Sequence, residues 1–175
     1  RVVSCDRPGK DCDVPMDISS DASVADAVQT IATRYGRRIA AVVHLAAYFD
    51  FTGEDSPVYQ SVNVDGTRRL VRALQELDVE RFVYASTMLV HAPQPPGQRV
   101  SEATPLQAKW AYPQSKVAAE RVITEEHGTM PYTILRLAGL YDDESAAPTL
   151  TQQIARIYEN TLKSHLYAGD RDAGQ

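Results

Sequence analysis

Residues 39–47, IAAVVHLAA, form an almost unbroken apolar run, with an amphipathic stretch on either side of it. A run of this length and character suits a strand buried on both faces, as in a parallel sheet. The same rhythm continues along the chain. RVVSC at 1–5 predicts a short strand, and DASVADAVQTIATRYG at 21–36 predicts a helix, with capping candidates Ser20, Asp21 and Ser23 and a stop at Gly36. VNVDGTRRLVRALQELD predicts a second helix, and RFVYAST another strand. A helix from about Tyr112 to His127 follows, and YTILRLAGLY predicts a further buried strand. The chain then predicts a helix over 148–162 and a last short strand over 164–169. DRPGKDCDVPMDISS reads as a loop, punctuated by proline and glycine. Alternating strands and helices imply an α/β fold, a doubly wound parallel sheet of Rossmann-like type with helices on both faces. Ligands of such sheets bind at the carboxyl ends of the strands. Those ends are Asp6, HLAA, AST and RLAGLY.

The totals narrow the possibilities. The 175 residues predict one domain over 1–175, and 43% hydrophobic content argues against disorder. The net charge of −5, with no long basic run, argues against nucleic acid as a partner. No apolar stretch is long enough to cross a bilayer, and no signal-peptide pattern opens the chain. Cys5 and Cys12 share one early segment and suggest neither a metal site nor a disulfide framework, so a reducing cytoplasm is the expected location. The chain opens on a strand-like RVVSCD and closes on polar YAGDRDAGQ, and both ends read as cut. The nine glycines never fall in GxGxxG spacing, so the domain is expected to lack its first strand and phosphate-binding turn. Asp6 stands where an acidic residue can hydrogen-bond an adenosine ribose and repel the extra phosphate of NADP, or where it merely starts a turn; Arg7 beside it acts in the opposite sense.

Tyr112 and Lys116 stand four residues apart at a predicted helix start, which places a phenol and an ammonium on one face. Pro113 strains that placement, because a residue before proline is biased away from the helical region. Proline is tolerated in a first turn, so Tyr112 is expected at the helix edge.

HLAA (44–47), NVDGT (63–67), YASTMLVHA (84–92), YPQSK (112–116) and RLAGLY (136–141) occur in that order. Together they resemble the extended short-chain dehydrogenase/reductase family, the NAD-dependent epimerase/dehydratase group. The resemblance covers nearly the whole chain, and implies that most of a C-terminal substrate-binding portion is missing. It implies NAD as cofactor, with NADP possible, a small-molecule substrate that is most often a nucleotide sugar, and a possible homodimer. It implies Tyr112 as acid/base, Lys116 as the residue that holds the nicotinamide ribose and favours phenolate, and Thr87, 25 positions before the tyrosine, as a hydrogen-bonding partner of the same substrate oxygen. It places Ser86 near the cofactor, Ala46 and Ala47 where backbone approaches the pyrophosphate or ribose, and Asp17 and Ile18 at the adenine. Asn63 resembles a residue that orders the region behind the active site.

Charge arithmetic supports these roles. Bringing a phenol from a pKa of about 10 to about 7 requires roughly 4 kcal/mol. One cation at about 4 Å supplies on the order of 4 kcal/mol near a surface. Burial disfavours phenolate, so Lys116 alone is marginal and a cationic nicotinamide ring would help. Other residues have plainer readings. His44 and His91 are expected in the core or a loop, and Arg136 in a structural ion pair. Tyr48, Phe49, Phe51 and Trp110 either pack or line a substrate pocket. Sugar-nucleotide dehydratases carry an acidic pair directly after the catalytic threonine; here Met88 and Leu89 stand there, and neither moves a proton. What survives is hydride transfer at a secondary alcohol or ketone, as an oxidoreductase or an epimerase. A nucleotide sugar is the first expectation. A less polar alcohol or ketone, or a non-catalytic dinucleotide-sensing module, is the alternative.

Overall fold

The apolar runs become strands that pair only in parallel. The computed structural model describes residues 1–50, 53–95, 97–140, 155 and 158. Within them the order is β1 (Cys5–Asp6), β2 (Val14–Pro15), α1 (Asp21–Tyr35), β3 (Arg38–Ile39), β4 (Val42–His44), α2 (Asp65–Leu74), β5 (Asp78–Val79), β6 (Phe82–Thr87), α3 (Ala111–Glu126) and β7 (Tyr132–Leu137). β1 pairs with β2, β3 pairs with β5, and β4, β6 and β7 form a ladder in that order. Parallel neighbours need a long crossover between them, and α2 and α3 provide it for β3–β5, β4–β6 and β6–β7, whereas β1 and β2 are joined by residues 7–13 alone. Residues 155 and 158 are helical. The rest of the helix predicted over 148–162, the strand predicted over 164–169, Phe51 and Tyr141 lie outside the described residues.

Helix boundaries follow local chemistry. Ser20 caps α1, its hydroxyl accepting from the Ser23 N–H, and Gly36 ends it at φ 97°. The second helical segment starts earlier than the sequence pattern indicates, with a π-helical stretch at Tyr59–Val64 running into α2. Such wide turns are frequent at functional sites. α3 starts at Ala111, which puts Pro113 inside its first turn. Backbone N–H groups there lack helical partners anyway, so proline costs no hydrogen bond and Tyr112 remains helical.

The core lies between one face of the sheet and the helices. Val24 and Val28 of α1, Leu70, Val71 and Leu74 of α2, and Ala119 and Ile123 of α3 meet Val79, Phe82 and Tyr84 there. Alternation along the strands explains why only one face is covered by these helices: His44, Phe82 and Tyr84 point inward, while Val43 is 58% and Leu135 43% exposed. The expectations that the run at 39–47 is buried on both faces and that YTILRLAGLY is a buried strand therefore do not hold in full among the described residues. The loop reading of 6–20 also needs correction. Val14, only 2% exposed, brings Val14–Pro15 into register with Cys5–Asp6, a pairing too short to show in a pattern containing proline.

Gly66, at the start of α2, sits against Ile18. A Cβ there would lie 3.0 and 3.1 Å from the Ile18 side-chain carbons and 3.1 Å from its carbonyl oxygen. Alanine's better helix propensity, about 1 kcal/mol, is outweighed by overpacking of about 1–3 kcal/mol, because a carbonyl cannot retreat. Gly66→Ala is expected to lower stability by about 1 kcal/mol in urea unfolding.

Candidate active site

β6 ends on Ser86 and Thr87, and both are buried. A 3-10 turn over Met88–Val90 follows, with the Thr87 hydroxyl accepting from the Leu89 N–H at 3.3 Å. β4 ends at His44, so Ala46 and Ala47 lie just beyond it, exposed. Asp6 ends β1, also exposed, and accepts from the Arg7 N–H at 2.6 Å. These residues occupy the carboxyl ends of the strands, as the alternation requires.

Tyr112 and Lys116 stand one turn apart on α3, Tyr112 half-buried and Lys116 only 2% exposed. The Tyr112 ring meets Phe49 edge-on with centroids 4.6 Å apart, and Tyr59 at 6.3 Å. The Lys116 Nζ lies 4.3 Å from the centre of the Tyr84 ring, an arrangement that holds a cation without a carboxylate in contact. Burial pushes the Tyr112 phenol above its ordinary value, with neighbouring Tyr59 adding to the rise. Burial brings Lys116 down to about 8, against an opposing pull from Glu120. Without a bound cation the phenol is therefore not activated, in line with the charge arithmetic above.

Asn63 ties the site together. Its amide accepts from the Tyr48 N–H at 2.7 Å and donates to the Tyr48 carbonyl at 3.0 Å and the Ser115 hydroxyl at 2.9 Å. Ser115 donates in turn to the Tyr112 carbonyl at 2.6 Å. The loop after β4 is thereby fastened to the first turn of α3. Asp17 accepts from the Ser19 N–H at 2.9 Å and hydroxyl at 2.7 Å, which holds its carboxyl below the usual range. The Ile18 side chain is turned into the core, and its carbonyl accepts from Arg69 Nη1 at 3.5 Å.

His44 is a core histidine, as its apolar surroundings indicate. It is 3% exposed, with Nε2 3.0 Å from the Thr67 hydroxyl, and Thr67 donates to the Asn63 carbonyl at 2.6 Å. Arg136 is a structural ion pair, 2.8 Å from Glu120. Glu120 and the His91 contact with Arg136 are what sequence reasoning missed. The one signal available was Glu120's place four residues after Lys116, on the face that already carries Tyr112.

The donor set fits a dinucleotide at its two ends: a carboxylate at the end of β1, and hydroxyls, a phenol and an ammonium at the end of β6 and start of α3. Among the described residues no helix is long and apolar enough to cross a membrane. A family model described as the NAD dependent epimerase/dehydratase family matches residues 12–173. The 3-beta-hydroxysteroid dehydrogenase of Mycolicibacterium neoaurum is 30% identical over 158 residues, covering 86% of this chain and 40% of that protein. Human 3 beta-hydroxysteroid dehydrogenase type 7 is 37% identical over 93 residues, covering 50% of this chain and 25% of that protein. The crystal structure of the Bordetella bronchiseptica enzyme WbmH in complex with NAD+ matches with a TM-score of 0.66 at 27% identity, over 85% of this chain and 47% of that one. The chain spans less than half the length of each of these proteins. The parallel strands, their crossover helices and the match over 12–173 agree: the chain has a Rossmann-like fold and belongs to the NAD-dependent epimerase/dehydratase family.

Proposed function

We propose that this chain is the dinucleotide-binding part of an NAD-dependent oxidoreductase acting on a secondary alcohol or ketone. The observation that carries the reading is the pairing of Tyr112 with a buried Lys116 on one turn of α3. A lysine withdrawn from water is costly unless its charge is used, and perturbed groups of this kind cluster at functional sites. NAD, when bound, supplies hydride acceptance or donation. Tyr112 takes the proton from the carbinol oxygen during oxidation and returns it during reduction. Thr87 donates a hydrogen bond to that oxygen. Lys116 holds the nicotinamide ribose and offsets charge on the phenolate. Asp6 meets the adenosine ribose, Asp17 and the Ile18 backbone the adenine, and Ala46, Ala47 and Ser86 the length between. Asp6 favours NAD over NADP through repulsion of a second phosphate.

Two features favour a less polar substrate over a nucleotide sugar. The wall beside Tyr112 is aromatic, with Phe49 at 4.6 Å, and Met88 and Leu89 follow Thr87. The similar proteins at 30% and 37% identity are named for 3β-hydroxysteroids. In the whole protein supplied with NAD, a 3β-hydroxysteroid is expected to yield reduced nicotinamide with kcat/KM at least about tenfold above that of any UDP-sugar. The reverse order would restore the nucleotide-sugar reading. NAD binding without turnover of either would favour the sensing module.

A further inference from the structure

Tyr112, Lys116 and Glu120 follow one another at intervals of one turn on α3. Glu120 is 4% exposed, and its carboxylate is fully engaged. The Ser86 hydroxyl donates to Oε1, and Arg136 donates through Nε to Oε1 at 3.2 Å and through Nη2 to Oε2 at 2.8 Å. Ser86 and Arg136 are direct partners across β6 and β7. Arg136 Nη1 also donates to His91 Nε2 at 3.3 Å. Arginine has no acceptor, so His91 carries its proton on Nδ1 and donates it to the Thr104 carbonyl at 3.1 Å. Thr104 belongs to the loop that leads into α3. One carboxylate thus joins the last residues of β6, the neighbouring strand and the approach to Tyr112.

We propose that Glu120 is a positioning residue that keeps Lys116 cationic in its buried place and fixes the Ser86–Thr87 strand end beneath the reacting oxygen. It acts through Lys116 and Ser86, and the proposal rests on the oxidoreductase reading above. Charge alternates along the cluster: ammonium, carboxylate, guanidinium. The Glu120 carboxylate, one turn further along α3, holds the Lys116 pKa up against burial, while the neutral ring of Tyr84 lies 4.3 Å from the ammonium. The groups facing this cluster are His44 from β4, Tyr84 from β6, Tyr112 from α3, Arg136 from β7, His91 beyond the 3-10 turn and Glu102 from the loop. His44 stays neutral and Tyr84 is held protonated by burial, so neither replaces the charge of Glu120. Glu102 acts on Arg136.

The test follows Lys116 directly, by NMR titration of its side-chain nitrogen, alongside the pH profile of kcat/KM. In Glu120→Gln the Lys116 midpoint is expected to fall by about one pH unit, and the alkaline limb of kcat/KM to move with it. Glu120→Asp keeps the charge but draws it back by one methylene, so it moves both by less, and it serves alone where the glutamine variant does not fold. An unchanged Lys116 midpoint in the folded variants overturns the proposal. So does a lowered midpoint with an unmoved limb, provided Tyr112→Phe is inactive. Full activity in Tyr112→Phe beside a lowered Lys116 midpoint overturns the catalytic reading and leaves the coupling of Glu120 to Lys116 standing.

Discussion

Tyr112→Phe is expected to lower kcat by about a thousandfold while leaving NAD affinity and stability nearly unchanged. The substitution removes one hydroxyl and keeps the ring, so the contact with Phe49 at 4.6 Å and the bond from the Ser115 hydroxyl to the Tyr112 carbonyl persist. General acid–base catalysis by one positioned group contributes about 10²–10⁴ in rate. An upper-middle value suits a site where no second group can stand in: Met88 and Leu89 follow Thr87, and buried His44 is already engaged with Thr67. The pH dependence follows from the same groups. Oxidation needs Tyr112 deprotonated, and burial raises its pKa, so the rate climbs with pH. It also needs Lys116 charged, and that charge is lost as pH rises through about 8. Oxidation is therefore confined to a narrow alkaline window, while reduction, which starts from the protonated phenol, is favoured at lower pH. Steady-state kinetics in both directions measure this. A variant that keeps more than a tenth of wild-type kcat would remove Tyr112 from the chemistry.

The elements that carry the site were legible because their signals are local. Ser20 and Gly36 mark the ends of α1 by capping chemistry, and the apolar runs mark β6 and β7. The spacing of Tyr112 and Lys116 needs only the helical repeat to become a shared face. Other features were illegible because their causes are distant in the chain. The π-helical stretch at Tyr59–Val64 is tied to residues 48 and 115 through Asn63, and nothing within the segment announces it. The Glu120 cluster draws on residues 86, 91, 104 and 136, brought together by the pairing of β6 with β7 and the packing of α3 and its preceding loop against them. The exposure of Val43 and Leu135 was hidden for a related reason: an apolar run does not say which of its two faces a helix will cover. Sequence chemistry located the candidate reacting groups, then, and long-range packing supplies what holds them.

His44 is expected to make the protein acid-labile. Its ring is enclosed by Phe82 and Tyr84, with centroids 6.0 and 5.4 Å away, and its pKa is pushed down to about 3, first by burial and then by the charge of Lys116. In the unfolded chain it titrates near 6.5. Between these values the unfolded state binds a proton that the native state refuses, so stability falls as pH falls through 6.5 toward 3. At 1.36 kcal/mol per pH unit, lowering the pH to about 4 removes roughly 3 kcal/mol through this one residue. His44→Gln places an amide nitrogen near the position of Nε2 and can keep the bond to Thr67, but it does not titrate. It loses ring packing, and should be less stable than wild type at pH 7 by about 1–2 kcal/mol. Urea unfolding at a series of pH values should therefore give two curves that cross, with the variant the more stable at about pH 4. Asp13, Asp17 and Glu126, whose pKa values are lowered, lose stabilisation in both proteins as they protonate, so they bend both curves alike and cannot produce the crossing. Parallel curves would mean that His44 reaches water or a counter-charge before it protonates, and that the interior beneath Lys116 opens in mild acid.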